Sequence, residues 1–122
     1  MNDLIETIFT NFTVDGVGIP VEYLRYRGSE DTYVTYHPQD IDNSLTADDE
    51  LQGYVYYYDF DIYSKGNYLN VVKSVIEKLE NNGFVWQPSR SRPDTFEDDT
   101  ELYHRTLNFA IPVQNKEDLN NG

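Results

Sequence analysis

Asp59 and Asp61 stand two residues apart in the run LQGYVYYYDFDIY, residues 51–63. On a strand that spacing puts both carboxylates on one side, about 7 Å apart at the backbone. Such a pair can hold a divalent cation if neighbours add oxygen ligands, or it can divide acid and base work. It can also be an outer face that is solvated or that meets basic groups of another subunit. A second candidate is TFEDDTELYHRTLNFAI, residues 95–111, where Glu97, Asp98, Asp99 and Glu101 precede His104. Imidazole with carboxylate can bind zinc, yet the only other histidine is His37, and zinc sites ordinarily use three or four protein ligands. A two-histidine site needs the strands of His37 and His104 to be neighbours. The competing reading has Asp99 and Thr100 opening a turn, with His104 on the polar face of an edge strand, and the alternation after Leu102 favours it. Arg90 and Arg92, in SRSRP, are the only close basic pair outside the first strand and suit a phosphate or an acidic partner. No nucleophile elbow, phosphate-binding glycine loop or dinucleotide fingerprint is present.

The bulk numbers narrow the classes. With 122 residues, 39% hydrophobic and 25% charged, the chain suits one globular domain. The expected layout is a single α+β domain over residues 1–112 and a polar, disordered tail over 113–122. There is no cysteine, so disulfides, thiol nucleophiles and thiolate metal sites are excluded. The net charge of −13 repels nucleic acid. It suits solubility, or a passage through which DNA slides without sticking. No apolar run approaches the roughly 20 residues of a membrane span. MNDLIETIF lacks a basic region and is expected not to be a secretory leader. Tyrosine is the dominant aromatic, with 11 residues, and fits both strands and surfaces that become buried on assembly.

The elements that must position these residues follow from periodicity. Leu4, Ile5, Ile8, Phe9 and Phe12 form a helical stripe over residues 3–12, with Asn2 or Asp3 as cap. VDGVGIP reads as a turn. VEYLRY, residues 21–26, and TYVTYH, residues 32–37, read as strands joined in a hairpin through RGSED. PQDIDNSLTADDE, residues 38–50, has five acids, no base and no period, and is expected to be a long mobile loop. In residues 51–63, Tyr54, Tyr56, Tyr58, Phe60 and Ile62 share one face, the expected core face. Val55, Tyr57, Asp59, Asp61 and Tyr63 share the other. The length of this run and its lack of proline suggest a central strand. Tyr68, Leu69, Val72, Val75, Ile76 and Leu79 form the stripe of a second helix, with Ser64 or Asn67 at its start and Gly83 at its C′ position. FVWQ reads as a strand and PSRSRPDTFEDD as a polar loop. In the last strand Tyr103, Arg105, Leu107, Phe109 and Ile111 face one way. Leu102, His104, Thr106, Asn108 and Ala110 face the other. The predicted class is α+β: a mixed, mainly antiparallel sheet of about four or five strands, with an N-terminal helix and one long helix packed on it.

Three stretches together, DIYSKGNY at 61–68, GF at 83–84 and EDDTELYHRTLNF at 97–109, resemble the tail-completion, or tail-terminator, proteins of siphophages and prophages of Gram-positive bacteria. IPVEYLRYRG and DTYVTY lie where that family has its first strands. The resemblance implies a ring, commonly hexameric, at the head-proximal end of the tail tube. The ring stops tube polymerisation and joins the head connector, while DNA passes through without specific binding. It implies partners in copies of the chain itself, the tube protein and the head-closure protein. It implies no enzyme activity, no cofactor, no metal and no membrane, and a place in the virion after assembly in the host cytoplasm. On this reading the loops at 38–50 and 87–99 and the strand at 51–63 meet partners, through Asp48, Asp49, Glu50, Tyr57, Asp59, Asp61, Tyr63, Arg90, Arg92, Glu97, Asp98 and His104. A head-closure component and an acidic DNA-mimic or antitoxin-like inhibitor are the alternatives.

Overall fold

The computed structural model describes residues 1–47 and 50–113. Its elements in chain order are helix α1 (Asn2–Ile8), strands β1 (Thr13–Val14), β2 (Val17–Gly18), β3 (Val21–Tyr23), β4 (Thr32–Ala47) and β5 (Glu50–Ser64), and helix α2 (Leu69–Glu80). They continue with β6 (Val85–Trp86), a 3-10 turn (Pro88–Arg90), β7 (Arg92–Glu97) and β8 (Leu102–Val113). The fold is α+β. β1 and β2 form a small ribbon through the Asp15-Gly16 turn, and the other six strands form the main sheet. Its order is β3-β4-β5-β8-β6, with β7 also paired to β8. β3 runs parallel to β4 and all other pairs are antiparallel. The main sheet thus has more strands than the four or five expected. β5 is central, as its length predicts.

Both helices contribute to one core on one face of the sheet. Tyr56, Tyr58, Phe60 and Ile62 of β5 and Leu107, Phe109 and Ile111 of β8 are buried there, as alternation predicts. Phe60 lies at the centre, with Phe84 and Phe109 edge-on at 6.5 and 5.7 Å and Phe9 tilted against it. α2 buries Val71, Val72, Val75 and Leu79, each contributing about 1.5–3 kcal/mol. Leu69, expected in the stripe, is 54% exposed, and Val71 takes its place. The Asn67 side chain accepts from the Leu69 N–H, a capping role. The far end closes as a Schellman motif: the Phe84 N–H donates to the Leu79 carbonyl and the Gly83 N–H to Glu80. Gly83 has φ +89°, the left-handed conformation predicted for it. α1 is shorter than its stripe and begins without a side-chain cap; the Asn2 amide oxygen instead accepts from Tyr58 Oη.

Four expectations about connections are corrected. The segments at 21–26 and 32–37 do not form a hairpin. After Tyr23 the chain turns at Leu24, φ +65°, and returns to run parallel, with Val21 opposite Val34. The hairpin partner of residues 32–37 is β5, whose long alternating run offers a far longer ladder. Second, residues 38–47 are not a loop. They continue β4 along β5, with register shifts after Pro38 and around Leu45. A ladder of backbone hydrogen bonds imposes the strand there without apolar periodicity. Asp48 and Asp49 lie outside the described residues. Third, the expected loop after FVWQ contains the 3-10 turn and β7. Fourth, Val113 is no part of a tail: it is buried and pairs with Tyr54. Residues 114–122 lie outside the described residues.

Candidate functional site: a buried polar face

The second face of the sheet carries the residues singled out for chemistry. Three rungs cross β4, β5 and β8 in register: Tyr33–Tyr63–His104, Thr35–Asp61–Thr106 and His37–Asp59–Asn108. The two carboxylates of the central strand are buried, with Asp59 3% and Asp61 7% exposed. The expectation of a solvated face, or one open to another subunit, is therefore corrected at these two residues.

Each carboxylate is surrounded by donors. Asp61 Oδ1 accepts from Thr106 Oγ1 at 2.5 Å and from His104 Nε2 at 2.9 Å, and His37 Nδ1 lies 3.8 Å from Oδ2. Asp59 Oδ1 accepts from Asn108 Nδ2 at 2.9 Å. Its Oδ2 lies 3.7 Å from both Arg92 Nη2 and His37 Nε2. Burial pushes the Asp61 carboxyl up. The hydrogen bonds from His104 and Thr106, with the charges of His104 and His37, outweigh burial and hold it below the ordinary carboxylate range. His104 Nδ1 is 3.8 Å from Glu97 Oε2, so this ring lies between two carboxylates.

Rings flank the carboxylates. Tyr26, Tyr33, Tyr63 and His104 stack in one file, with centroids 4.4, 5.0 and 4.3 Å apart. Tyr26 ends this file from the loop after β3, its ring lying against Gly28. A Cβ at residue 28 would fall 2.1 Å from the Tyr26 hydroxyl oxygen. Burial, then the charges of Asp61 and Glu97, push the Tyr63 hydroxyl up to about 12.

The segment from Gln87 to Arg92 bonds to this face. The Ser91 hydroxyl accepts from the Asn108 N–H and Trp86 Nε1 and donates to the Gln87 carbonyl. Arg90 lies over the Tyr57 ring, 3.7 Å from its centroid, and donates to Gln39 Oε1. Arg92 reaches Thr106 Oγ1 as well as Asp59.

Of the residues named from sequence, Tyr57, Asp59, Asp61, Tyr63, Arg90, Arg92, Glu97 and His104 converge on this one face. Asp98 is exposed in the turn between β7 and β8, with Asp99 and Thr100 beside it. Glu50 opens β5, at the far end of the strand from Ser64. The condition set for a two-histidine site is not met: β5 separates β4 from β8, and His37 and His104 approach Asp61 from opposite sides. Among the described residues no three His, Asp or Glu side chains are grouped as metal ligands. Sequence reasoning passed over Ser91, Thr35 and the roles of Thr106 and Asn108. The signal for the last two was the alternation that placed them with His104.

Chemically, the arrangement is a clamp. Thr106 is buried, and its hydroxyl proton is committed to Asp61, so it is not offered to a reactant. Charge-assisted hydrogen bonds, stronger than neutral ones, tie the carboxylates of β5 to His104, Thr106 and Asn108 of β8, and His37 of β4 and Arg92 add ion-pair contacts at 3.7–3.8 Å. A scan against protein-family models and a search of curated proteins find no match to this chain.

Proposed function

We propose that the protein is a structural assembly component, a tail terminator that caps the head-proximal end of a phage tail tube as a ring of identical subunits. It halts polymerisation there and presents a surface to the head connector. The observation that carries this reading is the unlike character of the two sheet edges. On one side, β4 beyond Tyr36 continues without a β3 partner and carries Asp40 and Asp42. On the other, the two-residue strand β6 forms the edge beside Phe109 and Ala110 of β8. A closed ring needs such heterologous contacts, one patch of each copy docking on a different patch of the next. The clamp supports the reading too, since it spends its charged groups on rigidity. The stretches that resemble the tail terminators form the β5–α2 junction, the α2 C-terminus and the β7–β8 turn with β8, the skeleton joining helix to sheet.

The test is electron microscopy of the protein mixed with purified tail tubes. The expected result is a cap at one end only, with rotational symmetry matching the tube. Tubes bare at both ends, or tails of normal length assembled without the protein, would overturn the proposal.

A further inference from the structure

The helix-bearing face of the sheet is left open at its β7 end. Phe96 and Tyr103 are register partners there, with rings 5.0 Å apart, and they are 48% and 43% exposed. Leu69, on the first turn of α2, is also exposed. Leu69 and Tyr103 line an open groove of ≈460 Å³ with Lys65, Asn67, Tyr68 and Asp94. One wall is fixed, because the Tyr68 hydroxyl donates to Asp94. Large apolar side chains collected at one exposed place mark an interaction site more often than chance exposure does.

The groove adjoins an unpaired strand edge. Among the described residues β7 pairs only with β8, and Arg92 to Phe96 are exposed throughout. Alternate N–H and C=O groups of such a strand point away from its partner. Pro93 and the register shift between Arg92 and Thr95 confine the usable edge to Asp94–Glu97. Proline on an edge guards against unwanted pairing. Guarding alone leaves Leu69, Phe96 and Tyr103 unexplained.

Charge selects the occupant. Asp94, Glu97, Asp98, Asp99 and Glu101 all belong to β7 or its turn, on a chain of net charge −13. A second copy would bring the same surplus to the contact. We propose that β7 and this groove dock an extended, basic segment of a different protein. That segment adds one strand to the sheet and seats an aliphatic or aromatic side chain against Leu69, Phe96 and Tyr103. Backbone pairing supplies affinity, the apolar seat supplies register, and flanking Lys or Arg facing the acids supply selectivity. The inference needs only the edge and the groove, so it holds for a free subunit whether or not a ring forms.

The experiment uses the full chain and blocked synthetic peptides of about eight residues, a length typical of strand addition. Each peptide has a central Phe, Leu or Ala flanked by Lys, Gln or Glu. Amide shifts of the isotope-labelled protein report site and affinity. Lys-flanked Phe or Leu peptides are expected to bind with Kd on the order of 100 μM, shifting Asp94–Glu97, Tyr103 and Leu69. Central Ala, flanking Glu, or N-methylation of alternate peptide amides should each weaken binding by about tenfold or more. Leu69→Lys, an exposed change that spares β7, should do the same. Three results would each overturn the proposal: no shifts at millimolar peptide, equal binding of Glu-flanked peptides, or concentration-dependent self-association through these residues. Failure here would leave the tube-capping result untouched, and a bare tube would leave peptide binding untouched.

Discussion

At the middle of β5 both faces are buried, and they are held by opposite means. Phe60 and Ile62 point into an apolar core and are fully buried; Asp59 and Asp61, their immediate neighbours, point the other way and are nearly so. On the first face, stability scales with the apolar area removed from water and with close packing. On the second, burial itself is unfavourable, and stability depends on whether every carboxylate oxygen keeps its donors. The apolar face should therefore respond to changes in volume and ignore acid, its buried tyrosines titrating only at the alkaline end. The polar face should respond to orphaned groups and to protons. A strand inside a folded domain can thus be buried on both sides without reading as a continuous apolar run.

The comparison can be broken in several places. Phe60→Ala, at the centre of the aromatic cluster, should cost about 3–5 kcal/mol by denaturant unfolding. A loss under about 1 kcal/mol would mean that the core can collapse around the gap. Asp61→Ala should cost about 2–4 kcal/mol, because it strands the donors of Thr106 and His104. The pH profile should differ between the faces. Asp61 is held below its ordinary value when folded, so its contribution is fully present above the unfolded pKa of about 3.9 and is lost as pH falls through the folded value. Acid unfolding of Asp61→Asn should therefore be flatter below pH ~4 than that of the parent, whereas Phe60→Leu should leave the slope unchanged. At the alkaline end the sign reverses. Tyr36 and Tyr63 are raised to about 12, so the folded chain keeps protons that the unfolded chain loses, and stability should fall as pH rises above ~10. Tyr63→Phe should remove part of that fall without an acid-side effect. The smallest expected change is Arg90→Ala. Losing its contact with Tyr57 should cost about 0.5–1 kcal/mol, measurable as a small shift in the denaturation midpoint.

The difference between the faces also explains what could be read in advance. Alternation in residues 51–63 and after Leu102 identified both strands and both faces correctly, because side chains alternate wherever a strand forms. The stripe at 68–79 and Gly83 located α2, since a packed helix needs an apolar face and a left-handed exit. Asp59, Asp61 and His104 were picked out by type, but their burial was not legible. Carboxylates are normally exposed, and the groups that enclose these two come from His37, Arg92, Thr106 and Asn108, which are distant in sequence. Residues 38–47 misled for the related reason that their strand character comes from the neighbouring strand.

Local pattern thus determined the two helices, the central strands β5 and β8 and which side of each is apolar, because periodicity is a property of the chain itself. Only the tertiary structure decided that β3 lies parallel to β4 and that residues 38–47 extend a strand. It alone decided that two aspartates are buried beside His37, Arg92, His104, Thr106 and Asn108, and that β7 ends the sheet beside an open groove. Those outcomes depend on which backbone donors and acceptors meet across many residues, and pairing partners are chosen by the whole fold.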